Sequence, residues 1–263
     1  MRQLLPMWST IISIRFIHNK YLRISYRCII AFLLILWLPA CSLASHENAS
    51  IQSDTRELGD FSSIVFNAVG EMNIIPGDAN TITLLADPEI IDKIQTVVRD
   101  NTLYIEFNEN FITSSINPQL STKYELSLKT VNHITLQGTG SIIAHNISTN
   151  NLTLNLSGVG DISVIDLEAE FLTVNHDGGG QFTLSGVSTE QDVRINGSGY
   201  YDASQLLTRV TSIQLLGSAD ASVWAKDNLN VTIRGEGVLE YYGAPFLIKN
   251  ILRGDSLQAK GLK

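Results

Sequence analysis

From residue 134 onward, apolar and polar side chains alternate in short runs. These are ITLQ ending at Gln137, LTLNLS at Ser157, LTVNHD at Asp177, VRIN at Asn196, IQLL at Leu216 and VTIR at Arg234. Each run meets a glycine and is followed by a second alternating segment: GTGSIIA, GVGDISV, GGGQFTL, GSGYYDA, GSADASV and GEGVLEY. Alternation with period two is the pattern of a strand that buries one face. The glycines Gly138, Gly158, Gly178, Gly197, Gly217, Gly235 and Gly254 recur every 18–20 residues.

Aligning the units stacks like residues into columns. Leu136, Leu156, His176, Ile195, Leu215 and Ile233 form one inward column, and Ile134, Leu154, Val174, Val193, Ile213 and Val231 form the column two residues earlier. Past the glycine, Ile142, Ile162, Phe182, Tyr201, Ala221 and Leu239 form a third. A solenoid needs such columns, because each coil buries its apolar face only against its neighbours. No proline occurs between Pro118 and Pro245, as expected where most N–H groups join a ladder. The fold class read from this is all-β, a parallel β-helix or solenoid of ~20-residue coils with an N-terminal β-rich cap. An antiparallel β-sandwich is the alternative, since its strands also recur every 8–12 residues or so.

Before the repeat, Phe61–Ile75 and Thr81–Leu85 read as strands joined by a turn at Pro76-Gly77-Asp78. Pro88–Ile94 reads as a short helix with Asp87 as N-cap. Arg99-Asp100-Asn101 separates two strands as a hairpin, and residues 108–120 read as a loop. The expected organisation is a leader over 1–40, a flexible tether over 41–57 and a β-domain over 58–260. Within that domain, 58–130 supplies the first strands and cap, and 131–260 the glycine-turn repeats.

Charge sharpens the view of the front. The formal net charge is −8, yet residues 1–40 contain Arg2, Arg15, Lys20, Arg23 and Arg27 and no acid. The remainder carries 13 basic against 26 acidic residues. A nucleic-acid partner is excluded, since phosphate neutralisation needs clustered Lys and Arg in the folded part. The apolar run CIIAFLLILWL at 28–38 is too short to span a bilayer and follows a basic segment, the layout of a secretory signal. Leu38-Pro39-Ala40-Cys41 resembles a bacterial lipobox, which makes Cys41 the lipidation residue and a lipid anchor the membrane contact. Ser42 after the cysteine favours the outer membrane by the same resemblance. An ordinary signal peptide is the plainer alternative, and Met7 competes with Met1 as the start. Cys28 and Cys41 are the only cysteines, so a disulfide-stapled fold is excluded.

Together these residues resemble the bacterial family called putative auto-transporter adhesin, head GIN domain. The resemblance rests on GTGS at 138–141, GVGD at 158–161, GSGY at 197–200, GSAD at 217–220, the ending LNVTIRGEGVLEYYGAP at 229–245 and the opening FSSIVFNAVGEMNIIPG at 61–77. It covers about residues 58–260. GGGQ at 178–181 and Ala219 depart from the pattern, so those coils are expected to turn differently. The resemblance implies a secreted or lipid-anchored envelope protein with an adhesion label, and it carries over no catalytic residue.

Candidate chemistry is sparse. Asp161 and Asp220 share a column three coils apart, roughly 14 Å at the ladder spacing, too far for a hydrolytic pair. They read as turn residues accepting backbone hydrogen bonds. Calcium-binding nonapeptide repeats place an aspartate every nine residues or so, unlike the sporadic acids here. His176 reads as a neutral core-edge histidine bonded to the neighbouring coil; a ligand-binding or pH-sensitive site beside Asp177 is the sharper alternative. Arg253-Gly254-Asp255 spells an adhesion tripeptide, but its glycine is simply the seventh of the series. By parity Tyr201 and Tyr241 point inward, leaving Tyr200, Trp224 and Tyr242 as candidate surface-binding residues, with core filling as the bland alternative.

No catalytic residue, metal site or cofactor is expected. The functional expectation is a non-enzymatic envelope lipoprotein presenting a solenoid surface to an envelope protein or glycan. A solenoid carbohydrate-active enzyme, or a structural spacer or sensor, are the alternatives.

Overall fold

The computed structural model describes residues 51–108, 122–252 and 256–263. The leader, Cys41, most of the 108–120 loop and the Arg253-Gly254-Asp255 tripeptide lie outside them. From Gln52 to Ala259 the described chain forms seventeen strands joined in one hydrogen-bonded sheet system. The repeat makes a parallel β-solenoid of about six turns.

Each coil contributes one strand segment before the glycine corner and one after it. The first set stacks as β8 (His133–Leu136), β10 (Ser148–Leu156) and the second halves of β11 (Val159–His176), β12 (Gly179–Ile195), β13 (Ser198–Leu215) and β14 (Asp220–Ile233), ending on β16 (Phe246–Ile251). The second set stacks β9 (Thr139–His145), the first halves of β11–β14, β15 (Leu239–Tyr242) and β17 (Leu257–Ala259). All these pairings are parallel, which decides against the sandwich. The register joins Ile142, Ile162, Phe182, Tyr201, Ala221 and Leu239 in one column, each at most 1% exposed.

The far side of each coil turns at a corner that the glycine rhythm does not mark. Asn146 and Asp166 adopt φ of 53° and 58°, and Gly186 follows at 121°. Asn, Asp and Gly are the residues that reach positive φ at least cost, so a varied trio serves one corner.

The opening segment enters the stack out of sequence order. β2 (Ser63–Asn67) and β3 (Val69–Pro76) lie directly against β8 and β9. β6 (Thr102–Phe107) and β7 (Lys123–Leu128) add a further coil outside them. Antiparallel pairing is confined to this end. β5 (Ile94–Arg99) forms a hairpin with β6 through Asp100 and Asn101, at φ of 48° and 60°. β4 (Thr81–Ala86) runs antiparallel to β7, and β1 (Gln52–Glu57) to β4. The tether expected over 41–57 therefore gives way to a paired strand at Gln52. Helix α1 (Pro88–Ile91) is capped by Asp87, whose carboxylate accepts the Glu89 N–H at 2.9 Å, and buries Ile90 and Ile91 against the core. Irregular and antiparallel pieces at an end stop a parallel stack from continuing.

The two departures from the glycine pattern behave differently. Gly179 begins its strand where Val159 begins the coil before it, so GGGQ turns like its neighbours. Ala219 occupies the column of Gly160, Gly180 and Gly199, and there the strand starts only at Asp220. A Cβ at Gly180 would lie 1.9 Å from the Gly160 carbonyl oxygen, which explains why a natural Cβ in that column opens the start of the ladder.

Candidate functional site

The aromatic residues singled out by parity lie on the outer face of the last coils. Tyr200 opens that face beside the Tyr201 column, and Trp224 on β14 is in register with Tyr242 on β15. Tyr200 is exposed, while Trp224 and Tyr242 are half-buried. Tyr201 is fully buried, and Tyr241 is partly buried against the core. Parity thus separates Tyr200 from Tyr201 correctly because successive side chains of a strand alternate faces.

Around these rings runs a polar column of Asp202, Ser222, Glu240 and Gln258, one from each successive coil. Ser222 is buried within that column. Partial burial, reinforced by the carboxylates of Asp202 and Glu240, pushes the Tyr200 phenol above its ordinary value. The acids themselves are committed to structure. Asp202 accepts the Ser204 N–H at 2.9 Å, Glu240 pairs with Lys260 at 3.0 Å, and Asp220 accepts the Val238 N–H at 2.8 Å. Asp220 is therefore the turn residue its position indicated.

The final residues complete the face in a way that sequence reasoning missed. After β17, the Lys260 N–H bonds the Tyr241 carbonyl and the Gly243 N–H bonds the Gly261 carbonyl, both at 2.9 Å. These bonds carry the parallel β15–β17 ladder on to Gly261, and beyond it Lys263 Nζ lies 4.3 Å from the Tyr242 ring centre and 5.6 Å from that of Trp224. The same ammonium donates to the Ser204 carbonyl. Both rings lie within the ~6 Å over which a cation is attracted to an aromatic face.

Two other features lack such convergence. A shallow groove of about 560 Å³ follows the glycine corner, lined by Ser157, Asp177, Asn196 and Ser198. Its side chains bond one another, as Asn196 does with Asp177 at 2.5 Å. His176 is not bonded to the neighbouring coil as expected: it faces the core, fully buried, with its ring edge-on to Phe182 at 5.3 Å and neither nitrogen hydrogen-bonded, because its column is lined by apolar side chains. Burial pushes its pKa below the usual histidine value, against a weaker upward pull from Asp177. Among the described residues no group of three or more His, Cys, Asp and Glu side chains could hold a metal ion. No helix among them is long and apolar enough to cross a membrane.

Comparison with known proteins gives one family and one fold. The family model described as putative auto-transporter adhesin, head GIN domain, matches residues 60–245. No curated protein matches the chain. Among solved structures, a putative adhesin from Bacteroides fragilis superposes with a TM-score of 0.71 at 22% identity, over 81% of this chain and 95% of the other. A putative lipid binding protein from Parabacteroides distasonis gives 0.64 at 20% identity, over 81% and 97%. A putative adhesin from the same organism gives 0.57 at 21% identity, over 82% and 96%. At these identities the structures establish the shared fold.

Proposed function

The chain belongs to the family of putative auto-transporter adhesins with the head GIN domain, and from that premise we propose that it is a non-enzymatic, lipid-anchored envelope protein whose solenoid presents an adhesive surface. The observation that carries the reading is the grouping of Tyr200, Trp224 and Tyr242 on one outer face of consecutive coils. Tyrosine and tryptophan offer large, rigid, amphipathic contact area, the kind concentrated in binding hot spots. The carboxylates around them already have backbone or lysine partners, which argues against their use as a hydrolytic acid–base pair.

The test is binding of the purified protein to isolated cell envelopes and to a glycan array. Tyr200→Ala/Trp224→Ala/Tyr242→Ala together are expected to weaken retention at least about tenfold, since anchors of this type each contribute ~1–2 kcal/mol or more. Equal retention of the triple variant, with its fold intact by circular dichroism, would remove this face from the function.

Anchoring is proposed through Cys41, with Ser42 directing the protein to the outer membrane. Radiolabelled palmitate is expected to mark the wild-type protein and to leave Cys41→Ala unlabelled. Equal labelling of the variant, or no labelling of either, would sink the anchor.

A further inference from the structure

We propose that the Trp224–Tyr242 face is a receptor for a primary ammonium group, held in the free protein by Lys263 and exchanged for a lysine side chain of a polypeptide partner. The proposal rests on the reading that this face is the binding surface, and it names the chemistry of what binds there.

The geometry supplies three elements. First, the two rings present an electron-rich surface, and a cation sits on it, 4.3 Å from the Tyr242 centre and 5.6 Å from that of Trp224. Second, the charge around the rings favours a cation. Asp202, Asp220 and Glu240 lie on the same face, where Lys260 at Glu240 is the basic side chain that opposes them. Third, the Ser204 carbonyl accepts a hydrogen bond from the same ammonium. That last contact decides between kinds of cation. A quaternary ammonium has no N–H to donate and would leave the carbonyl unanswered, whereas a lysine answers both the rings and the carbonyl. A guanidinium is planar and larger, and its donors diverge from a single acceptor.

The occupant is attached to the receptor by a short lever. Lys263 is held near the site by the Lys260 and Gly261 backbone bonds, so it competes with an external lysine at an effective concentration in the millimolar range. Its grip is modest, because a partly exposed cation–π contact contributes only about 0.5–1 kcal/mol. Such an arrangement screens the rings from indiscriminate contact and yields to a partner that brings a lysine together with further contacts.

The experiment titrates the full chain in detergent with a lysine-containing pentapeptide, followed by calorimetry. The controls are the same peptide acetylated on its lysine Nζ, and tetramethylammonium. The lysine peptide is expected to bind Lys263→Gln at least about threefold more tightly than wild type, since the tethered competitor is gone. Acetylation of the peptide and Tyr242→Leu should each weaken that binding several-fold. The Lys263→Gln arm stands alone should Tyr242→Leu prove unstable. The proposal is overturned if Lys263→Gln binds the peptide no better than wild type, if the acetylated peptide binds equally, or if tetramethylammonium competes better than lysine. Were it overturned while the triple aromatic variant still lost envelope or glycan binding, the face would remain the binding surface with a different ligand. Loss of neither would end both readings.

Discussion

Gly180→Ala is expected to destabilise the protein by on the order of 3 kcal/mol or more, at the upper end of overpacking costs, while Gly179→Ala beside it should stay within about 0.5 kcal/mol. The two residues share a corner and differ in what a methyl group would meet. At Gly180 the added Cβ would lie 1.9 Å from the Gly160 carbonyl oxygen, and φ is +133°. The contact cannot relax cheaply, because Gly160 is held in a parallel ladder on both sides, and the positive φ is strained for any L side chain. At Gly179 the same methyl would find only the Ser198 hydroxyl, 3.9 Å away. Urea unfolding of the two variants, compared by midpoint at constant slope, checks the difference. Similar stabilities for both would mean that the stacked column does not define the corner. The native Ala219 shows how the fold accommodates a side chain in this column: its coil keeps the corner bond of the other coils, Ser218 N–H to the Gly197 carbonyl at 3.2 Å, and begins the strand only at Asp220.

The columns were legible because two periods coincide in the sequence. Alternation selects the buried face and the ~20-residue repeat selects which residues stack, so Ile142 and Leu239 could be placed in one column across nearly a hundred residues. The second corner was hidden since Asn146, Asp166 and Gly186 reach positive φ with different side chains and leave no common letter. The order of the first coils was hidden for another reason. β2 and β3 carry the same alternation whether they stack beneath β6 and β7 or above them, and local pattern does not encode which partner is taken. At the candidate site, parity exposed Tyr200 and buried Tyr201. Lys263 escaped notice because its contact with Ser204 spans 59 residues and lies beyond the last rung of the repeat, where no periodic pattern reaches.

His176→Leu should raise stability by about 1–3 kcal/mol at neutral pH and more in mild acid, because it removes a buried polar ring whose nitrogens have no partner. The column gives the physical reason. Leu136, Leu156, Ile195, Leu215 and Ile233 occupy the equivalent position and are all at most 1% exposed, so leucine fits a place the fold already fills with leucine. In the native protein the ring contributes its edge-on contact with Phe182 at 5.3 Å, which leucine replaces with ordinary packing. The pH dependence follows from the direction of the shift. Burial holds the folded-state pKa below the ordinary 6.5. The unfolded chain therefore binds a proton at a higher pH than the folded one. The stability associated with neutral His176 is fully present above the unfolded value and falls as pH drops from there through the folded value. Asp177, the charged neighbour, favours protonation but is outweighed by the loss of hydration. Wild type and His176→Leu should thus diverge as pH is lowered below ~6.5, with the variant showing the flatter profile. Parallel urea midpoints between pH 7.5 and 5 would show that the ring gains solvent or a partner on protonation, and would remove His176 as the source of acid sensitivity.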